Sequence, residues 1–171
     1  MGFYVFAGAQ AEGSVKVEAL LHTLLQVQDK IANGDAEAIP LKSHLNKLIG
    51  AGLSEIKSDK VMSDAEIRTL LTFSVIGPQS LSLKEALAQL ARDPKWMDTA
   101  RALNFYRNRS GKEALKLLNQ VNISDMDARL APFLYFARGN LNSRVNPAKA
   151  IKDYNQVRLA APGTLLDEAV L

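Results

Sequence analysis

The sequence contains no cysteine, which excludes disulfide staples, a thiolate-ligated zinc site and thiol nucleophiles. It is also compatible with an oxidising compartment, where a stray thiol would be a liability. Histidine occurs only at His22 and His44, on separate predicted helices and without a second ligand at metal spacing, so no zinc constellation is assembled. Aromatic residues make up 6% of the chain, and the ten glycines and six prolines fall mainly between apolar-periodic runs. No stretch of useful length alternates apolar and polar residues as a half-buried strand would. None reaches the roughly 20 apolar residues that a membrane span needs. What is present is 171 residues, 47% of them apolar, with a mean hydropathy of -0.05. Such a chain buries about 70% of its unfolded surface. The expectation is an all-α protein.

The N-terminus reads differently from the rest. Phe3-Tyr4-Val5-Phe6-Ala7-Gly8 is a short apolar run that leads into Ala9-Gln10-Ala11, the small-residue pattern at the end of a secretory signal peptide. Cleavage after Ala11 would leave Glu12 as the mature N-terminus. No basic segment precedes the run. Residues 1–14 are therefore expected to be a signal-peptide remnant or a disordered N-terminus, followed by a helical region over 15–91.

Within that region the helices announce themselves by periodicity and caps. Val17, Leu20, Leu21, Leu24, Leu25, Gln28 and Ile31 form one stripe, predicting a helix from Val15 to Asn33 that Gly34 closes in the left-handed conformation. Pro40 suits a first helical turn. Leu41, Leu45, Leu48, Ile49 and Leu53 carry the next stripe, with Gly50 and Gly52 expected to weaken or end that helix early. Ser63-Asp64-Ala65-Glu66 is a capping box ahead of Ile67, Leu70, Leu71 and Phe73, and Gly77-Pro78 stops the run. Ser82-Leu83-Lys84-Glu85 reads as a second capping box. Asp93-Pro94 reads as an N-cap with proline at the first helical position, opening a helix through Trp96, Ala100, Leu103 and Tyr106.

From residue 92 to 171 a repeat emerges. Ala102-Leu103-Asn104-Phe105-Tyr106, a turn at 108–111, and Ala114-Leu115-x-x-Leu118-x-x-Val121 form one helical hairpin. Ala137-Arg138-Gly139-x-Leu141, a turn at 144–147, and Ala150-Ile151-x-x-Tyr154-x-x-Val157 form another, closed by Pro162. Ala114 and Ala150 are 36 positions apart, close to the tetratricopeptide period of about 34. A small residue lets two helices approach, and the larger residue four positions later fills the groove beside it. Helical hairpins stacked as tetratricopeptide-like repeats are therefore expected, and Thr164-x-x-Asp167 would start a further helix.

The net charge of +3 is unevenly placed. Residues 92–158 hold thirteen Lys and Arg against six Asp and Glu, a local +7, whereas 1–91 and 159–171 each come to −2. The basic side chains include Arg101, Arg107, Arg109, Lys112, Lys116, Arg129, Arg138, Arg144, Lys149, Lys152 and Arg158. Such a segment fits nucleic acid, another anionic polymer, an acidic protein or plain solvation. Nucleic acid would call for interleaved aromatics or a recognition helix, and neither is seen. Arg107, Arg109 and Arg144 lie in or beside the two hairpin turns, which places them at one edge of the stack and makes them the candidate partner-binding residues.

No chemistry is assembled. Arg107-Asn108-Arg109-Ser110-Gly111-Lys112 lacks the glycine spacing and preceding strand of a phosphate loop. Trp96 and Tyr106 are spaced for a helix face. Asp64 and Glu66 are explained by capping, while Glu12 and Glu18 have no evident partner. No nucleophile, base and oxyanion donor converge, so no catalytic residue, cofactor or metal is expected.

Several stretches resemble the MotC family, periplasmic motility proteins of rhizobia and their relatives. They are Leu24-Leu25-Gln26-Val27-Gln28-Asp29-Lys30-Ile31-Ala32-Asn33-Gly34-Asp35, Ala102 to Tyr106, Ser110-Gly111-Lys112-Glu113-Ala114, Leu130-Ala131-Pro132-Phe133-Leu134-Tyr135, Asn146 to Ile151 and Ala160 to Thr164. The resemblance covers roughly residues 17–171. It implies a non-enzymatic periplasmic protein required for flagellar rotation, acting as a scaffold that binds and stabilises the stator protein MotB. The alternative is a tetratricopeptide-like adaptor in another envelope pathway. No binding residue transfers from the resemblance.

Overall fold

The structure, a computed structural model, describes the backbone of residues 3–56 and 61–160, with side chains from residue 17 onward. Eight α-helices fill the described residues, with no strand among them: α1 (Phe3–Ala32), α2 (Ile39–Ser54), α3 (Asp64–Ile76), α4 (Lys84–Leu90), α5 (Met97–Arg107), α6 (Gly111–Leu118), α7 (Ala131–Asn142) and α8 (Pro147–Ala160). The expected helix at Thr164 and the closing Pro162 lie outside the described residues. The protein is all-α, and its paired helices, α5 with α6 and α7 with α8, pack in a manner consistent with tetratricopeptide-like hairpins.

α1 starts at Phe3 rather than near Val15. It ends where the sequence said it would. Gly34 has φ +94°, its amide donates to the Ile31 carbonyl, and the Asp35 amide reaches back to Lys30, both at 3.0 Å. These two bonds satisfy carbonyls that the last helical turn leaves free. α3 carries the complete capping box: the Ser63 hydroxyl accepts from the Glu66 amide at 3.2 Å, and the Ser63 amide donates to Glu66 Oε2 at 2.8 Å.

Four local expectations are corrected. α2 runs through Gly50 and Gly52 to Ser54. Both glycines permit close approach: a β-carbon at Gly50 would sit 2.6 Å from Leu81 Cδ1, and one at Gly52 would sit 2.5 Å from Val17 Cγ2. In the same helix Leu41 and Leu48 face outward, 46% and 40% exposed, and only Leu45, Ile49 and Leu53 reach the core. The second capping box does not form. Leu83 is buried and itself flanks the start of α4 without a side-chain cap, one position later than Ser82 would require. Finally, α5 begins at Met97, not after Asp93. The Asp93 carboxylate caps a separate tight turn, accepting from the Lys95 amide at 2.9 Å.

One hydrophobic core extends from Leu21 in α1 to Ala137 in α7. Its centre is α3, nine of whose thirteen residues are buried. A helix apolar on one stripe lies at a surface, whereas one buried all round sits among neighbours, and α3 contacts α1, α4, α5 and α7. Around this core the two hairpins dock with their turns on a common edge.

Candidate protein-interaction surface

The edge of the hairpins is the place to look for function, because the three candidate arginines were expected there. Arg107 is not available. It is buried, and its guanidinium donates to the carbonyls of Ser74 at 3.3 Å, Gly77 at 3.4 Å, Pro78 at 2.8 Å and Leu81 at 2.7 Å. A planar fork of five N–H donors can satisfy several carbonyls that a loop cannot pair internally. Burial lowers the Arg107 pKa from its ordinary value. Arg107 is thus a structural clamp on the loop between α3 and α4, and the expectation that it is displayed at an edge is corrected.

Arg109 and Arg144 are exposed, and the two turns that carry them are neighbours. Asn140 Nδ2 donates to Tyr106 Oη at 3.3 Å, which joins the C-terminal ends of α5 and α7. A β-carbon on Gly111 would lie 3.4 Å from Leu141 Cδ2, so the start of α6 abuts the same end of α7. Tyr154 of α8 completes the chain, its hydroxyl donating to Asn140 Oδ1 at 2.9 Å. Burial, and then the nearby Tyr106 and Asp153, raise the Tyr154 pKa. Arg109 also holds an uncommon backbone. At φ +60° it is the one non-glycine residue of positive φ among those described. The Arg109 amide donates to Tyr106 and the Ser110 amide to Phe105, the same closure that Gly34 makes at the end of α1.

Several other basic side chains are spent internally. Arg138 pairs bidentately with the buried Asp153, Nε to Oδ2 at 3.0 Å and Nη2 to Oδ1 at 2.7 Å, locking α7 to α8. Glu18, which lacked a partner in the sequence, accepts from Arg68 Nε at 3.0 Å and Nη2 at 2.9 Å. Arg129 pairs with Asp127 at 3.1 Å and approaches Glu18 at 3.8 Å, and Arg68 approaches Asp127 at 3.7 Å. These pairs tie α1 and α3 to the loop before α7. The partners in Glu18–Arg68, Arg68–Asp127 and Glu18–Arg129 are separated by fifty or more positions in the chain, and no local pattern announces them. His22 and His44 are exposed, and no group of three metal-ligating side chains occurs among the described residues. None of the helices among the described residues is long and apolar enough to cross a membrane.

The family described as chemotaxis protein MotC matches residues 3–171. The chain belongs to the MotC family. A chemotaxis protein MotC from Rhizobium meliloti (strain 1021) is 27% identical over 168 residues, covering 95% of this chain. The chain spans 38% of the length of that curated relative. No solved structure matches. The hairpin edge with Arg109 and Arg144 is the candidate surface of this MotC-family chain.

Proposed function

We propose that the protein is an exported, non-enzymatic component of flagellar rotation, a periplasmic scaffold that binds and stabilises the stator protein MotB. The match to the MotC family over residues 3–171 carries this reading. Stacked hairpins support it, because their apolar positions are used against one another and their exposed faces remain for partners. The Ala9-Gln10-Ala11 pattern supports export with processing after Ala11.

Three measurements test it. Cells lacking the gene should lose swimming while keeping assembled flagella, and the parent gene should restore it. Capture from envelope extracts on the tagged protein should enrich MotB over other envelope proteins. Mass spectrometry of protein expressed from its native reading frame should find Glu12 at the N-terminus. Motility unaffected by the deletion, or capture without MotB, would overturn the scaffold reading, and cytosolic protein with an uncut N-terminus would overturn export.

A further inference from the structure

The turns and first helical turns at the hairpin edge, residues 108–114 and 143–150, carry four cations: Arg109, Lys112, Arg144 and Lys149. All four are exposed. Glu113 is the single carboxylate in these two stretches. The neighbouring loop Pro78–Leu83, held against the end of α5 by Arg107, contains no charged residue. Elsewhere in the basic half, arginines are taken up by Asp153 and Asp127. Among the described residues, none of these four cations forms an ion pair.

Helix dipoles do not produce this field. Each hairpin brings one helix C-terminus and one N-terminus to the edge, and their partial charges of opposite sign offset one another. The potential therefore comes from the side chains. Four cations against one carboxylate on two adjoining turns leave a local excess of +3. Charge of one sign gathered on adjoining turns raises the potential that an incoming partner meets, and salt screens it over roughly 10 Å at 0.1 M.

Arg109 adds an independent observation. A left-handed conformation suits glycine, as at Gly34, and costs other residues roughly 1–2 kcal/mol. Strain of this kind persists only where the surrounding structure over-determines it, and it clusters at functional sites. Here the residue in that conformation is a cation, in the turn between α5 and α6.

We propose that this edge, Arg109, Lys112, Arg144 and Lys149, is a docking site for an extended acidic segment of a protein partner. The proposal rests on the reading of the protein as a partner-binding scaffold and names the chemistry of the partner. A protein segment is favoured over nucleic acid because the edge offers no aromatic platform. Tyr106 and Tyr154 are half-buried and engaged with Asn140, and stacked bases need exposed rings. What the edge does expose beside Arg144 is Val145, 74% accessible, an apolar contact suited to an acidic peptide that also carries an aliphatic side chain.

The experiment has two arms on the full 171-residue chain. In the first, an eight-residue peptide of alternating Glu and Asp is titrated into the isotope-labelled protein, and amide shifts are followed by NMR. Shifts confined to residues 108–114 and 143–150, lost at high salt, are expected. No shifts, shifts spread over the basic half, or tighter binding of an oligothymidylate at the same residues would overturn the proposal. In the second arm, association with the periplasmic domain of MotB is measured by surface plasmon resonance. Arg109→Glu with Arg144→Glu should slow association about tenfold at low salt. Arg101→Glu with Lys116→Glu, an equal change in net charge elsewhere, should slow it less than about twofold. Equal loss in both double variants, or none in the first, would overturn the edge while leaving the MotB scaffold in place. Edge-localised peptide shifts in a parent protein that does not bind MotB would overturn the choice of MotB and leave the acidic-segment site standing. Circular dichroism of each variant checks that the fold is retained.

Discussion

Arg107 Nη2 donates to the carbonyl oxygen of Leu81 at 2.7 Å, and the side chain of Leu81 in turn fills the space above Gly50. One arginine of the hairpin region thereby holds the loop that wedges against α2. Replacing Arg107 with Met keeps the buried stem and removes the donors, leaving loop carbonyls unpaired. Because part of the loop can recruit water, the expected loss is about 2–4 kcal/mol, read as a lower urea midpoint with an unchanged slope. Arg107→Lys should recover only part of it, since an ammonium cannot span four carbonyls as a fork does. A variant as stable as the parent would show that the clamp is dispensable.

Gly139 of α7 leaves room for the Tyr154 ring of α8: a β-carbon at Gly139 would collide with it. Ala150, buried in α8, serves the same hairpin. Gly139→Ala and Ala150→Leu each overfill a packed site and should cost about 1–3 kcal/mol. The diagnostic step is Gly139→Ala combined with Tyr154→Leu, which should recover part of the loss because the two residues contact directly. Strict additivity of the two changes would argue against the contact.

Arg109→Gly should stabilise the fold. Relief of the left-handed conformation is worth roughly 1–2 kcal/mol, and the extra freedom of glycine in the unfolded chain takes back about 0.5–1 kcal/mol. The net gain is about 0.5–1 kcal/mol, measurable as a rise in the thermal midpoint. The same variant should bind the acidic peptide more weakly, so stability and binding move in opposite directions. A loss of stability would remove the strain argument.

The features legible in the sequence were those settled within a few residues. Ser63 and Glu66 satisfy each other three positions apart, and Gly34 closes α1 using only α1 carbonyls, so their pattern suffices. Ser82 shows the limit, because its capping box competes with burial of Leu83, which depends on helices distant in the chain. Gly50 and Gly52 read as helix breakers when only propensity is counted, yet their small size is what admits Leu81 and Val17. The edge was legible as a pair of turns carrying Arg109 and Arg144. Arg107, two residues away, differs from Arg109 only through carbonyls some thirty positions upstream, which no local spacing encodes.

Asp127 provides a pH test. Hydrogen bonds from the Arg129 side chain and backbone hold its carboxyl below the ordinary aspartate value. A depressed pKa contributes stability above the unfolded value, and that contribution is lost as pH falls through the folded one. Asp127→Asn should therefore be less stable than the parent at pH 7, and the gap should close below the ordinary aspartate value of about 3.9. Because Asp127 is exposed, the gap should be small and should shrink in high salt. Urea melts at pH 7 and in strong acid measure it, and a gap that persists in acid would mean that the substitution acts through something other than charge.

The position of α3 changes how the molecule comes apart. A linear array of repeats loses its end units one at a time, because each touches only its neighbours. Here Phe73 and its neighbours on α3 are shared by helices from both ends of the chain, so peeling away one hairpin opens the central helix to water. Hydrogen exchange should then be slowest at the amides of α3 and governed by opening of the whole unit. A partner that gripped only the hairpin edge would in this way restrain motions across the entire protein.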